Sequence, residues 1–180
     1  MIQKILQLVR SYIYRMGYSI YPLDTNFKND QRALCKSLKM QNVFDVGANV
    51  GKIAKTYKCL FPNAKLTLIE PIPELAAGLR QNFVEENVFQ VALSDKNGTE
   101  KFNISSTKDN SSLLLPNIDR QPASYRSAMA TNRVEVVDVV KLDDLCKKTG
   151  VDRINLLKLD LQGGELRALS GATGLLEKKL

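Results

Sequence analysis

Beyond its first forty residues, the chain alternates short apolar runs with segments of helical periodicity. The runs at 43–46, 65–69 and 88–93 have the length and composition of buried strands. The segments 52–61 and 73–83 place apolar residues on one face of a helix. Strands and helices in alternation predict an α/β fold with a parallel sheet and helices packed on its faces.

The pattern changes beyond residue 93. The sequence DKNG at 95–98 is typical of a hairpin turn, with residues 100–104 as the return strand. Residues 105–133 are polar apart from three consecutive leucines, and a stretch of this length inside a compact domain indicates a lid, a binding loop or disorder. The remaining predicted elements are a strand at 134–140, a helix at 142–148, a strand at 154–159 and a final helix that begins in GGELRALSGA.

The N-terminal segment has its own helical pattern. Residues 1–16 carry an apolar stripe that docks on the following domain or lies on an anionic membrane as a peripheral anchor. With a second helix at 31–40, the sequence predicts a helical extension at 1–40 and one domain at 41–180. The stripe consists of Ile2, Ile5, Leu6, Val9, Ile13 and Met16.

A glycine-rich turn follows the first strand in VFDVGANVG, with Asp45 just before the turn, and Glu70 closes the next apolar run. Asp45 would repel the pyrophosphate of a dinucleotide, and the glycine spacing departs from GxGxxG, so an NAD-dependent oxidoreductase is disfavoured. S-adenosylmethionine carries a sulfonium and an ammonium group, which a carboxylate attracts. Glu70 would then accept hydrogen bonds from ribose hydroxyls. The alternative is that Asp45 is a turn former and Glu70 a surface acid.

Composition excludes several kinds of chemistry. The 180 residues include no histidine, which removes Ser-His and Cys-His nucleophile pairs and histidine-ligated metal sites. The three cysteines, Cys35, Cys59 and Cys146, form no CxxC pair, and we expect no metal site. The net charge of +7 is spread along the chain, so we expect no nucleic-acid partner.

Hydropathy predicts a cytoplasmic location. No apolar run approaches the roughly 20 residues that span a bilayer. The basic N-terminus lacks the apolar core and the small-residue cleavage site of a signal peptide.

Three segments resemble the FkbM family of S-adenosylmethionine-dependent methyltransferases, over about residues 41–173. They are VFDVGANVGKIA at 43–54, VVKLDDL at 139–145 and LLKLDLQGGELRALSGA at 156–172. The resemblance implies a Rossmann-like class I methyltransferase fold, a three-layer α/β sandwich, with S-adenosyl-L-methionine as the cofactor.

The resemblance also implies roles for individual residues. Glu70 would bind the ribose, and Asp160 or Glu165 would take the proton from the methyl acceptor. Alternatively, Glu165 is a helix residue favoured by the macrodipole, with Lys158 as its salt-bridge partner. Gln162 replaces an acid that many members carry. The implied cofactor loop consists of Asp45, Gly47, Asn49 and Gly51, the adenine border of Ala92, Leu93 and Ser94, and the methyl-transfer end of Lys158, Asp160 and Glu165.

Two functions remain open after this comparison. The first is O-methylation of a glycan or a small metabolite, as the family suggests. The second is a cofactor-binding or interaction module without turnover, because members of this family continue with further strands after the final helix. We therefore expect a sheet that is incomplete on its C-terminal side, with the strand at 154–159 as an exposed edge that pairs with another chain.

Overall fold

A computed structural model describes residues 40–106, 111–114 and 131–177 of the chain. These residues belong to one compact unit, which begins at Met40. The predicted helix at 1–16 lies outside the described residues, as does almost all of the second helix at 31–40. The division of the chain at residue 40 and the membrane contact of the first helix therefore stay predictions.

The secondary structure alternates strands and helices through most of the described chain, as the hydrophobic pattern predicts. In chain order the elements are β1 (Asn42–Val46), α1 (Lys52–Leu60), β2 (Lys65–Ile69), α2 (Pro73–Asn82), β3 (Asn87–Phe89), β4 (Ala92–Leu93), β5 (Gly98–Ser105), β6 (Thr131–Val140), α3 (Leu142–Thr149), β7 (Leu156–Leu159), α4 (Glu165–Ser170) and α5 (Thr173–Glu177).

The first sheet is parallel, with the strand order β3-β2-β1-β7. Its inner strands β1 and β2 are buried over most of their length, and Val43, Phe44 and Val46 of β1 are fully buried. Such runs are typical of strands that are covered on both sides, as in α/β proteins. The prediction of an α/β fold with a mostly parallel sheet is confirmed.

The second sheet differs from the prediction in two ways. The predicted strand at 88–93 is two strands, because β3 pairs with β2 whereas β4 pairs with β6. The predicted hairpin is wrong as well, since the order is β4-β6-β5 and β6 lies between its two arms. The turn residue Asn97 instead contacts the start of α3, where its Oδ1 accepts a hydrogen bond from the N–H of Lys141 at 2.8 Å.

Burial explains why β6 takes the central place in this sheet. Its residues Val137 and Val139 are buried in an apolar cluster with Phe102 and Ile104 of β5 and with Ala92 of β4. A direct hairpin between β4 and β5 would remove β6 from this cluster, and the burial of apolar surface favours the observed order. The turn motif at 95–98 depends on neighbouring residues alone. It could not predict that β6, which begins at Thr131, lies between β4 and β5.

Strand β7 pairs with β1 from Leu156 to Leu159. Among the strands that the structure describes it is the outermost on its side of the first sheet. Its position agrees with the predicted edge, and its pairing with another chain stays a prediction.

Within the described part of the chain, no helix has both the length and the apolar character needed to cross a membrane.

Candidate functional site

A cavity of about 330 Å³ lies where β1, β2, β4 and β7 end. Ligands of open α/β sheets bind in this place, outside the carboxyl ends of the strands. Its volume is at the lower end of the range of about 300–1,000 Å³ that is usual for small-molecule sites. The predicted site residues that line it are Gly47, Asn49, Glu70, Ala92, Leu93 and Asp160.

The turn after β1 brings the backbone close to the end of β7. Gly47 has a φ of +71°, and a Cβ atom there would lie 2.2 Å from the carbonyl oxygen of Asp160. Any side chain at this position would therefore push the two segments apart. Gly47 also donates a hydrogen bond from its N–H to Ile69 at 2.9 Å, which ties the turn to the end of β2.

Gly51 shapes the same turn but does not line the cavity. Its φ is +79°, and a Cβ atom there would lie 2.5 Å from the ring of Phe83. Its carbonyl oxygen accepts the first hydrogen bond of α1, from the N–H of Lys55. Gly51 therefore lets α1 begin close to the end of α2.

Glu70 connects the turn after β1 to the chain after β2. Its Oε2 accepts a hydrogen bond from the N–H of Asn49 at 2.9 Å, and its Oε1 accepts one from Ile72 at 3.0 Å. The residue is 4% exposed, and burial raises the pKa of Glu70, while these two N–H groups oppose the rise. Each carboxylate oxygen keeps a second lone pair for a ligand hydroxyl. The alternative of a surface acid does not fit this burial.

Asp45 lies beneath the turn, fully buried, and does not line the cavity. Its Oδ1 is 2.9 Å from Nζ of Lys158, which β7 places directly opposite it. Burial raises the pKa of Asp45, and the adjacent ammonium group of Lys158 opposes the rise. The carboxylate of Asp45 is thus paired inside the protein. The acids that a cationic ligand in the cavity would contact are Glu70 and Asp160.

The segment after β7 is fixed by Glu165. Its Oε1 accepts a hydrogen bond from Leu161 at 2.7 Å, and its Oε2 accepts one from Gly163 at 3.0 Å. Burial of Glu165 raises its pKa, but these backbone donors outweigh it and the net pKa is lowered. The alternative salt bridge between Glu165 and Lys158 is wrong, because Lys158 pairs with Asp45 and Asp160. The contacts of Glu165 are those of a residue that holds a loop.

Asp160 is the carboxylate at the C-terminal end of β7 that lines the cavity. Its side chain is 57% exposed, and its Oδ1 accepts a hydrogen bond from Nε2 of Gln162 at 2.8 Å. Gln162 also lines the cavity and has a φ of +52°, an uncommon value for a residue other than glycine. Among the three residues predicted for methyl transfer, Asp160 is the one on the cavity wall.

Comparison with known proteins assigns the sequence to a family. The model of the methyltransferase FkbM domain matches residues 45–179. The protein belongs to the FkbM methyltransferase family.

Individual FkbM relatives are longer than this chain. The 2-O-methyltransferase NoeI of Sinorhizobium fredii is 33% identical over 143 residues, which cover 76% of this chain and 59% of NoeI. The 31-O-demethyl-FK506 methyltransferase FkbM of Streptomyces tacrolimicus is 28% identical over 155 residues, which cover 72% of this chain and 58% of that enzyme. The chain thus spans about three fifths of the length of these relatives.

A solved methyltransferase FkbM from Methylobacillus flagellatus KT aligns with 77% of this chain and 30% of its own length. The alignment has a TM-score of 0.49 and a sequence identity of 16%.

The adenine border implied by the FkbM resemblance divides in the structure. Ala92 and Leu93 line the cavity, whereas Ser94 is fully buried outside it. The Oγ of Ser94 accepts a hydrogen bond from Arg167 of α4 at 2.8 Å and donates one to Asp95 at 2.9 Å. Ser94 therefore connects the end of β4 to α4.

The sequence of this FkbM domain did not reveal the outer wall of the cavity. Phe102, Ser111 and Leu113 line it, and Ser112 donates a hydrogen bond from Oγ to the carbonyl oxygen of Leu161 at 3.0 Å. The segment 111–114 belongs to the stretch predicted as a lid or binding loop, of which 107–110 and 115–130 lie outside the described residues. Polarity and length indicated this stretch, but no residue pattern distinguished the part that contacts the cavity.

Proposed function

We propose that this FkbM protein transfers a methyl group from S-adenosyl-L-methionine to an oxygen atom of a glycan or a small molecule. Family membership supports methyl transfer, and the names of NoeI and of the Streptomyces FkbM enzyme describe O-methyltransferases. The observation that carries the proposal is the cavity at the strand ends, with Glu70 and Asp160 on its wall and the glycine turn beside them.

The cavity fits the cofactor in charge and in polarity. Glu70 and Asp160 place two carboxylates on the wall, which favours a ligand with a sulfonium and an ammonium group over a pyrophosphate. The apolar residues Ala92, Leu93 and Phe102 offer a surface for a flat aromatic base. We propose that Gly47 and Asn49 face the methionine part, while Asp45, Gly51 and Ser94 act indirectly by holding the walls.

The residues of the chain contribute alignment and a proton acceptor. S-adenosylmethionine, when bound, supplies an electrophilic methyl group. Glu70 orients the ribose by accepting hydrogen bonds from its hydroxyls. Asp160 holds the acceptor hydroxyl and takes its proton, for which a carboxylate at the open end of the cavity is suited. Glu165 holds the backbone that follows this carboxylate, and Nζ of Lys158 lies 3.9 Å from its Oδ2.

Equilibrium binding to the purified chain tests the cofactor. We expect S-adenosylmethionine and S-adenosylhomocysteine to bind and NAD to bind far more weakly. Glu70→Ala should weaken binding at least about tenfold, because it removes the ribose acceptor and also takes from the N–H groups of Asn49 and Ile72 the carboxylate that they contact. The matched control is Glu177→Ala, at an exposed position on α5.

Two results would count against the site. The assignment fails if neither S-adenosylmethionine nor S-adenosylhomocysteine binds. It also fails if Glu70→Ala binds these compounds as tightly as the parent does. If they bind and no glycan or hydroxylated small molecule is methylated, the chain is a cofactor-binding module without turnover, which is the second function that the sequence leaves open.

A cytoplasmic location and association of two copies through β7 complete the proposal. Both come from the sequence pattern, and the edge position of β7 supports the second.

A further inference from the structure

Lys158 occupies an unusual position for a lysine. The parallel register of β1 and β7 places it directly opposite Asp45, inside the first sheet. Its side chain is 18% exposed and that of Asp45 is 0% exposed. Charged groups are buried at a large desolvation cost unless they are paired and hydrogen-bonded, so this pair requires further contacts to be stable.

The ammonium group makes three close contacts, to the last two residues of β1 and to the first residue of the turn that follows it. Nζ is 2.9 Å from Oδ1 of Asp45, and it donates to the carbonyl oxygens of Gly47 at 2.8 Å and Val46 at 3.2 Å. The two contacts to backbone carbonyls are hydrogen bonds, and the contact to Asp45 is an ion pair. Lys158 therefore fixes two consecutive carbonyl groups where β1 passes into the glycine turn.

The same contacts connect the turn to the cavity wall at the end of β7. The carbonyl oxygen of Val46 also accepts a hydrogen bond from the N–H of Asp160 at 3.2 Å. Nζ of Lys158 lies 3.9 Å from Oδ2 of Asp160. Lys158 thus stands between a buried carboxylate and the carboxylate that lines the cavity.

We propose that Lys158 is a positioning residue, which locks the glycine turn to the end of β7 and balances the charge of Asp45 so that the cavity keeps its shape. It acts through Gly47 and Asp160 and is absent from the cavity lining. The consequence for ligand binding rests on the proposed function, whereas the lock itself is a property of the unliganded protein.

The titration of Asp45 agrees with this role. Burial raises its pKa, and Lys158 is the largest of the opposing influences. Removing the ammonium group would leave an unpaired carboxylate in the core, and the chain would relieve it by taking up a proton or by opening the turn.

A double-mutant cycle in the unliganded protein tests the lock. Lys158→Met and Asp45→Asn should each lower the thermal unfolding midpoint. The double variant should lose much less than the sum of the two, because each single change leaves the other charge buried without its partner. The matched control is Lys55→Met, at an exposed position on α1, which should leave the midpoint unchanged.

Binding of S-adenosylhomocysteine tests the consequence for the cavity. Lys158→Met should weaken it at least about tenfold, and Lys158→Arg should restore part of the loss, because it keeps the charge but not the compact ammonium geometry. Additive effects in the cycle would overturn the lock, and unchanged binding by Lys158→Met would overturn its role in shaping the cavity. If Lys158→Met does not fold, the double variant decides, because it removes the ammonium contacts to the backbone without leaving a buried charge. Binding by the double variant equal to that of the parent would exclude a positioning role.

The outcomes separate this inference from the proposed function. If the parent protein binds no S-adenosylhomocysteine, the function fails while the coupling in the cycle still tests the lock. If the parent binds and the cycle is additive, the lock fails while the function stands.

Discussion

At the scale of single residues, the site depends on backbone groups that approach one another closely. The glycine motif predicts that Gly47 belongs to the cofactor loop. The physical reason for a glycine there is the carbonyl oxygen of Asp160, which leaves no room for a side chain. The motif did not reveal that contact, because Asp160 comes from a strand more than a hundred residues further along the chain.

Replacing Gly47 by alanine should therefore disturb two segments together. The new methyl group would lie 2.2 Å from an oxygen atom in a backbone with positive φ, so we expect a loss of about 1–3 kcal/mol in the free energy of unfolding and a weaker affinity for S-adenosylhomocysteine. Urea denaturation and equilibrium binding measure the two effects.

Gly78→Ala is the matched control. Gly78 lies in α2 with no atom within 4 Å of an added Cβ, so alanine should stabilise the protein by about 0.4–1 kcal/mol without changing affinity. Equal stability of Gly47→Ala and the parent would show that the turn has room to relax.

At the scale of elements, β4 and α4 are joined by a charged cluster. Arg167 of α4 donates hydrogen bonds to Glu100 at 2.7 Å and 3.1 Å and to Asp95 at 3.0 Å. These hydrogen bonds lower the pKa of Asp95 and of Glu100. The close approach of Gly171 to Ser94 fits the same junction, since a Cβ there would lie 2.1 Å from the Ser94 carbonyl oxygen.

Arg167→Met should lower the thermal unfolding midpoint by more than about 4 °C at neutral pH. Because the folded-state pKa values of Asp95 and Glu100 lie below their ordinary values of 3.8 and 4.5, their stabilising contribution is complete above pH 4.5 and is lost as pH falls through the lowered values. The difference between parent and variant should therefore shrink in acid. Thermal melts across that range check the prediction.

Lys147→Met is the control for this experiment. Lys147 forms an ion pair with Asp144, and their side chains are 79% and 43% exposed, respectively. The thermal unfolding midpoint should therefore move by less than about 2 °C. A pH-independent gap between the parent and Arg167→Met would contradict the electrostatic explanation.

The element scale also shows where local patterns reach their limit. Helices and parallel strands follow from apolar periodicity, and the structure contains them close to their predicted places. The break between β3 and β4 does not follow from periodicity, because one apolar run supplies both strands. The chain changes sheet there because its first half pairs with β2 and its second half with β6.

At the scale of the whole molecule, the outermost position of β7 is the feature with the largest consequence. The residues Leu156 to Leu159 are half-buried, and within the described residues they pair with β1 alone. Strand edges of this kind associate with other chains unless they are covered or charged.

We expect the purified chain to associate as its concentration rises, and Leu156→Lys to reduce that association by placing a charge on the strand. Light scattering over a wide concentration range measures it. Leu176→Lys is the control, since Leu176 is an exposed leucine on α5 at 62% exposure. A parent protein that stays monomeric at every concentration would end this prediction.

The sequence by itself determined the α/β class, the family and several residues that line the cavity, among them Gly47 and Glu70. Apolar periodicity and the glycine turn are local properties of the chain. Only the tertiary structure decided that Asp45 faces Lys158 beneath the turn. The same structure decided that Asp160, of the three residues predicted for methyl transfer, is the one on the cavity wall. It also decided the place of β6 and the outer wall with Phe102 and Leu113. These contacts join residues far apart in sequence, and their selection depends on burial and charge pairing in three dimensions, which no local pattern encodes.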